Sequence, residues 1–278
     1  AVKIISVLLF LILVAASFPL PAKATATPIP IVVELNQFSS ANVSGDNGTT
    51  LLWARGNAAV ASAGVLRVAP ASGNQKGVVV RRNKVKLTGG FSTYFVMNMN
   101  NGSTPPADGL AFVIQSNSEP LIGNYGAGLG FQSVPNSLGV EFDIWKNTGL
   151  DSSTNATYYD QNDNHVAIVR NGDNTHAAAN KDVVDWNPGD LYGSGDINVW
   201  IDYDGTTLTA TYGKSTRRNS SNNRSISENV GSSLKDKDVY VGFSGSTGAN
   251  SANIDIKKWY FSDTYVSSGL DPDPGTYT

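Results

Sequence analysis

The sequence contains no cysteine, which removes disulfide frameworks, thiolate nucleophiles and cysteine-ligated zinc from consideration. Charge is scarce as well. Asp, Glu, Lys and Arg make up 15% of the 278 residues and the net charge is −3, against about 25% charged residues in an average soluble domain. A charge-poor, slightly acidic surface does not suit a phosphate backbone, so no nucleic-acid partner is expected. The shortage of charge is not disorder. Hydrophobic residues reach 40%, with 5 Trp, 11 Tyr and 10 Phe, enough for a sizeable core. With only two histidines in the chain, a Ser/His/Asp apparatus has little to draw on.

One long apolar run is present, Ile4 to Leu20, preceded by Lys3 and followed by Pro21-Ala22-Lys23-Ala24-Thr25-Ala26. A basic start, a short greasy stretch and an Ala-x-Ala exit predict an export signal over residues 1–26. A membrane anchor needs about 20 apolar residues, and Ser6, Ser17 and Pro19 interrupt this run. The expected location is therefore secreted or cell surface, with no membrane span after signal removal. Residues 27–33 read as an extended lead-in. Residues 264–278, with Asp271-Pro272-Asp273-Pro274-Gly275, read as a tail or linker, because closely spaced prolines cannot sit in a sheet interior. Residues 34–263 are expected to form one domain, a normal size for a β-sandwich.

Within that domain the pattern is strands almost throughout. Phe91 to Met97, Leu110 to Ile114, Gly139 to Trp145, His165 to Val169, Ile197 to Tyr203, Thr207 to Tyr212, Val239 to Ser244 and Ile254 to Phe261 are short apolar or alternating runs, rich in β-branched and aromatic residues. Asp204-Gly205 between two of them predicts a tight hairpin. No segment outside the signal shows a 3.6-residue apolar stripe. The expected fold class is all-β, a two-sheet sandwich. Arg81-Arg82 and Lys84-Val85-Lys86 are expected on a solvated strand face, and Thr216 to Ser227 as a polar loop.

The chemistry concentrates between residues 140 and 170. Alternation along Val140-Glu141-Phe142-Asp143-Ile144-Trp145 puts Glu141, Asp143 and Trp145 on one face of a strand. Two carboxylates on a buried strand are costly unless something neutralises them. Asn147 follows, and Asp160-Gln161-Asn162-Asp163-Asn164-His165 leads into a second apolar strand. Carboxylates with an amide and a backbone carbonyl suit a hard cation such as Ca2+. An imidazole sharing those carboxylates suits a neighbouring transition ion such as Mn2+. His176 lies in an Asn/Ala-rich loop and is expected to be solvated. Asp108 stands just before a buried strand, where it either shapes the turn or serves a ligand. The Gly-rich segment 123–131 has no strand–turn–helix context for a dinucleotide, but its glycines let a ligand approach backbone N–H groups closely.

The ordered motifs ADGLAFVI (107–114), GAGLGF (126–131), VEFDIWKN (140–147), DQNDNHVAI (160–168) and VGFSGSTG (241–248) resemble the L-type, or legume-type, lectin domain. FSTYFV followed by TPPADG makes the chain look most similar to bacterial exported members. The resemblance implies a concanavalin-like jelly-roll antiparallel β-sandwich with a sugar site on loops at the edge of its concave sheet. It implies calcium ligands at Asp143, the Trp145 carbonyl, Asn147 and Asp160, and a transition-ion site of Glu141, Asp143, Asp160 and His165. The five-residue step from Asp160 to His165 is the family's own, which favours Asp160 over Asp163. For sugar it implies Asp108, typically preceded by a cis peptide bond, the Asn147 amide and a backbone N–H from Gly126 or Ala127. It further implies Trp145 against the sugar ring and a specificity loop at Ala249-Asn250.

Three departures from the family pattern are visible, one of them a short specificity loop, Ala249 to Asn253. Thirteen positions separate Asn147 from Asp160, so the calcium loop carries an insertion, and Ala127 stands where the family usually has glycine. The resemblance implies a calcium-dependent lectin, not an enzyme, with glycans or glycoconjugates as partners; an oligomer is compatible with it and would add avidity. Two alternatives share the sandwich. A laminarinase-type hydrolase needs a second catalytic acid, and the positions after Asp143 are Ile144, Trp145, Lys146 and Asn147. A structural or adhesive surface protein would have no need to keep Asp108 and Asn147.

Overall fold

Short β-branched and aromatic runs, punctuated by Gly, Asn and Asp, fold as strands along the whole of the described chain. The computed structural model describes residues 30–61, 64–152, 154–177 and 182–270. The expected export signal, residues 27–29 of the lead-in and residues 271–278 of the tail lie outside them. In chain order the strands are β1 (Val33–Leu35), β2 (Val43–Ser44), β3 (Leu52–Gly56), β4 (Ala59–Ala61), β5 (Val65–Ala69), β6 (Lys76–Arg81), β7 (Val85–Lys86), β8 (Phe91–Asn100), β9 (Gly109–Gln115) and β10 (Ser137–Asp143). There follow β11 (Thr148–Asp151), β12 (Ala156–Tyr159), β13 (His165–Arg170), β14 (Val183–Asp185), β15 (Ile197–Tyr203), β16 (Thr207–Gly213), β17 (Arg224–Asn229), β18 (Asp238–Ser246) and β19 (Asn253–Ser262). No α-helix occurs among the described residues, and none is therefore long and apolar enough to cross a membrane.

The strands form a jelly-roll β-sandwich. One sheet runs β17-β16-β15-β8-β19-β5-β4 with β1 beside β19, and the other runs β14-β13-β10-β9-β18-β6-β3-β2 with β7 beside β18. Pairing between the strands is antiparallel except for β2 with β3. Strand alternation sorts the side chains. Phe95, Met97, Ile201 and Trp259 of the first sheet and Phe112, Phe142, Ile168 and Phe243 of the second meet in the main core. Phe243 joins the sheets directly, with ring centroids 5.0 Å from both Phe95 and Trp259; such pairs add about 0.5–1.5 kcal/mol each beyond the area they bury.

Both outer faces carry smaller clusters. On the second sheet, Ala111, Val113, Ala167 and Val169 are covered by Phe131 from the Gly-rich segment. On the first, Tyr94, Val96, Trp200 and Tyr260 gather Ile31 and Leu270. The Trp200 indole donates to the Leu270 carbonyl at 2.8 Å. The chain after Asp263 therefore returns onto the sheet as far as residue 270 before any tail begins, and at the other end β1 already starts at Val33.

All eight expected strand runs are present, and Asp204 closes the β15–β16 hairpin by accepting from the Thr206 and Thr207 N–H groups. Three details differ. The 140s strand ends at Asp143, so Trp145 lies beyond it: the Trp145 N–H turns back to the Asp143 carboxylate at 2.7 Å, a side-chain turn typical of Asp. Arg224 to Ser227, expected in a loop, begin edge strand β17, where Ile226 alone is buried and gives no alternation strong enough to read. Arg82 is not simply solvated, since its guanidinium lies 5.2 Å over the Trp53 ring and donates to the Thr50 and Gly45 carbonyls.

Candidate functional site

Four strand ends fall on one line across the second sheet. Asp143 is paired with Gly109 on one side and His165 on the other, and Gly109 is paired with Ser246. The segments beyond those residues, carrying Asp108, Trp145, Asn147, Asp160 and Gly248, must therefore emerge together. Because Val140 and Phe142 point into the core, Glu141 and Asp143 point out of the opposite face, where loops cover them. Glu141 and His165 are fully buried, and Asp143 and Asp160 are nearly so.

The electrostatics of this cluster are those of a cation site. Ligand atoms of Asp143, Asp160 and His165 lie within 4.8 Å of one another, and so do those of Glu141, His165 and His176. Burial pushes the Asp143 carboxyl well above the usual range, with the Asp160 and Glu141 charges adding to it. Burial likewise lifts Asp160 to about 6, against the opposing pull of His165 and the Asn147 N–H. Burial alone would raise Glu141 too, but the adjacent His176 and His165 hold it down to about 2. Even so, neither Glu141 carboxylate oxygen accepts a well-formed hydrogen bond among the described residues, and the Asn147 side-chain oxygen is also buried without one. Unpartnered buried carboxylate oxygens are strongly unfavourable. A divalent cation would satisfy them, and the oxygen and imidazole donors fit one.

The long insertion does not disturb this geometry. Between Asn147 and Asp160, β11 and β12 pair as a hairpin's two arms, Thr148 with Tyr159 and Asp151 with Ala156. Asn147 and Asp160 meet at its base: the Asn147 N–H donates to the Asp160 carboxylate at 2.6 Å, and the Asp160 N–H donates to the Asn147 carbonyl at 3.1 Å. Thirteen residues of sequence separation thus collapse to one rung. Tyr158 is buried and accepts from Gln132 at 2.6 Å, which pins the hairpin to the sheet while Leu150 stays 70% exposed.

Asp108, Gly126, Ala127, Trp145, Asn147, Ala249 and Asn250 all line one shallow depression of about 290 Å³ at these strand ends. The Ala107-Asp108 peptide bond is cis. Burial lifts the Asp108 carboxyl to about 7, although the Gly248 N–H favours its ionised form, and its Oδ2 has no hydrogen-bond partner among the described residues. The Gly126 N–H donates to the Thr247 carbonyl at 3.2 Å, so of the two expected backbone donors Ala127 is the one left to face a ligand. Its carbonyl is held by Asn174 at 2.8 Å. Asn250 donates to the Pro105 carbonyl at 2.7 Å, tying the expected specificity loop to the segment before Asp108. Tyr125, Asp151 and Asn74 also line the depression and were not singled out in the sequence. Tyr125 carried a signal, an aromatic residue inside the Gly-rich segment. Trp145 also borders a second recess of about 360 Å³ with Pro106, Leu191 and Tyr192, whose two acids, Asp163 and Asp190, are exposed.

His176 corrects the sequence reading. Its side chain is 2% exposed and sits 2.6 Å from Glu141 Oε1. Burial would lower its pKa, but the Glu141 charge and the Asp182 carboxylate raise it to about 11. Nothing in the Asn/Ala-rich stretch around it signals burial, because the groups His176 meets, Glu141 and Asp182, are separated from it in sequence and form no local pattern with it.

Residues 35–275 match the family model of the legume lectin domain. The chain belongs to the legume lectin family. An L-type lectin-domain containing receptor kinase, I.7, of Arabidopsis thaliana is 30% identical over 221 residues, which cover 75% of this chain and 32% of the kinase. Kinase VIII.2 of the same plant is 33% identical over 199 residues, 68% of this chain and 26% of that protein. The legume lectin domain thus spans about a third or less of these relatives. They are plant proteins and lend no support to the expected bacterial likeness. Among solved structures, a Bauhinia forficata lectin in complex with GalNAc superposes with a TM-score of 0.64 at 24% identity, over 84% of this chain and 97% of that one. Lectin I from Ulex europaeus, in complex with the methyl glycoside of α-L-fucose, gives 0.63 at 24%, over 82% and 95%. Arcelin-5, a lectin-like defence protein of Phaseolus vulgaris, gives 0.62 at 18%, over 84% and 98%. These likenesses establish the sandwich.

Proposed function

We propose that this legume lectin domain is an exported, calcium-dependent glycan-binding protein without catalytic activity, and that sugar binds in the depression around Asp108 and Asn147. The supporting observation is convergence: an unpartnered buried carboxylate oxygen on Asp108 and the Asn147 amide share one depression directly above the acidic cluster. Vicinal sugar hydroxyls need an acceptor and a donor in fixed positions. Asp108 supplies the first, and the Asn147 amide and Ala127 N–H the second. The indole of Trp145, half-buried at the rim, offers a surface for the C–H face of a pyranose. Ala249-Asn250 and the hairpin flank whatever extends beyond the first ring.

Asp143, the Trp145 carbonyl, Asn147 and Asp160 would hold calcium; Glu141, Asp143, Asp160 and His165 would hold a transition ion such as manganese. The cations supply charge neutralisation for the buried carboxylates and no chemistry on the sugar. Asn147 would then use its oxygen toward calcium and its NH2 toward sugar, which couples the two sites. Export is supported by the Ile4 to Leu20 run and its Ala-x-Ala exit.

A glycan array probed with and without EDTA tests the reading. Binding is expected for the calcium-loaded protein and is expected to disappear with EDTA and in Asn147→Ala. Adsorption indifferent to both treatments would instead favour an adhesive protein that keeps the fold alone, and release of reducing ends from β-glucans would favour a hydrolase.

A further inference from the structure

His176 is the buried polar group that the proposed function leaves without a task. We infer that it is a direct ligand of the transition ion, so that Glu141, His165 and His176 form a two-imidazole centre suited to zinc rather than manganese. The inference rests on the cation reading of this cluster and adds a ligand and a metal preference to it.

Three distances carry it. Glu141 Oε1 is 2.6 Å from His176 Nε2 and 3.5 Å from His165 Nε2, and the two Nε2 atoms are 3.1 Å apart. Atoms that share one ion at bond lengths of about 2.1 Å sit roughly 3–3.5 Å from each other. The two distances to His165 Nε2 fall in that range, and Glu141 and His176, 2.6 Å apart, would move apart by about half an ångström to share the ion. As a purely hydrogen-bonded cluster they are poorly arranged. Glu141 Oε1 makes no well-formed hydrogen bond despite its closeness to His176, and two imidazole nitrogens are turned toward each other. A cation between them gives every one of these atoms a partner.

The surroundings match a ligand histidine. His176 Nδ1 lies 3.1 Å from the Asp182 carboxylate, which holds the proton on Nδ1 and leaves the Nε2 lone pair for the metal; a carboxylate behind a ligating histidine is the usual way such rings are oriented. The Trp186 ring packs against both imidazoles, with centroids 4.9 Å from His165 and 5.5 Å from His176. It walls the pair off from water. Imidazoles favour zinc, copper and nickel, whereas carboxylate and water donors suit manganese. Adding a second imidazole to a carboxylate-rich set therefore moves the preference toward zinc.

Full-length protein stripped with EDTA, then equilibrated with equal Zn2+ and Mn2+ in the presence of calcium, tests this by metal content per chain. The wild type is expected to take up zinc selectively. His176→Ala and His176→Phe, the latter keeping a ring against Trp186, are expected to lose at least about tenfold in zinc affinity, and Asp182→Asn about tenfold, with manganese affinity changed much less. Because the chain has only two histidines, 15N-histidine NMR of the wild type gives a readout independent of variant folding. Zinc should move the Nε2 signals of both rings. Unchanged zinc affinity in His176→Phe, or a shift confined to one ring, overturns the inference while leaving the sugar site intact. Failure of the wild type to take up any transition ion overturns it together with the transition-ion part of the proposed function.

Discussion

At the scale of single residues, the site is a set of polar atoms whose costs are visible in isolation. Asp108 is 3% exposed and burial lifts its carboxyl to about 7, so near neutral pH its ionised form is held at the expense of stability. Asp108→Asn should therefore act in two opposite directions. Glycan affinity should fall roughly 10- to 100-fold, the usual worth of a hydrogen bond to a charged acceptor, while the melting temperature at about pH 8 should hold or rise because a buried charge has gone. Calorimetry and glycan titration on the same preparation check both signs; full affinity in the variant would remove Asp108 from the binding role. Most of these residues were legible because acids are conspicuous in apolar runs: Glu141 and Asp143 interrupt Val140-Phe142-Ile144, and Asp108 abuts Leu110-Ala111-Phe112. His176 was not, since its burial depends on contacts with Glu141 and Asp182 that no local pattern encodes.

At the scale of elements, alternation and turn chemistry carried the strands, and weakly patterned edges did not. β17 buries one side chain in six, and the hairpin of β11 and β12 lies in a stretch so polar that it read only as an insertion. What the sequence could not show is that the hairpin's first rung restores the contact between Asn147 and Asp160. The rung, not the hairpin's length, sets the spacing of the two residues. Replacing residues 150–157 by a two-residue Asn-Gly turn should leave calcium affinity within a few-fold, measured by titration calorimetry, and should change the profile of glycans bound on an array, because Asp151 leaves the depression. A loss of calcium binding comparable to that of Asp160→Ala would show that the remainder of the hairpin is needed to hold the rung closed.

At the scale of the whole molecule, the buried charges make stability depend on pH and on cations together. In the metal-free protein, Asp108, Asp143 and Asp160 have carboxyls raised by burial. The folded state binds their protons more tightly than the unfolded chain does, so stability is withdrawn as pH climbs from about 4 through about 7. His176, raised to about 11, contributes fully below about 6.5 and loses that contribution as pH rises further. Glu141, held to about 2, works the other way: its contribution is present above about 4.5 and lost as pH falls through 2. The EDTA-treated protein should therefore melt at a lower temperature at about pH 8 than at about pH 5, and added calcium should raise the midpoint more at pH 8, where its ligands are already ionised. Differential scanning calorimetry at the two pH values checks this; a metal-free midpoint that climbs between them would contradict it. The sandwich also settles which way the molecule faces. Ile31 and Leu270 pack together on the outer face of one sheet, whereas Glu141 and the depression above it belong to the outer face of the other. A label attached beside Ile31 or Leu270 would thereby sit on the face opposite the depression and leave the depression uncovered.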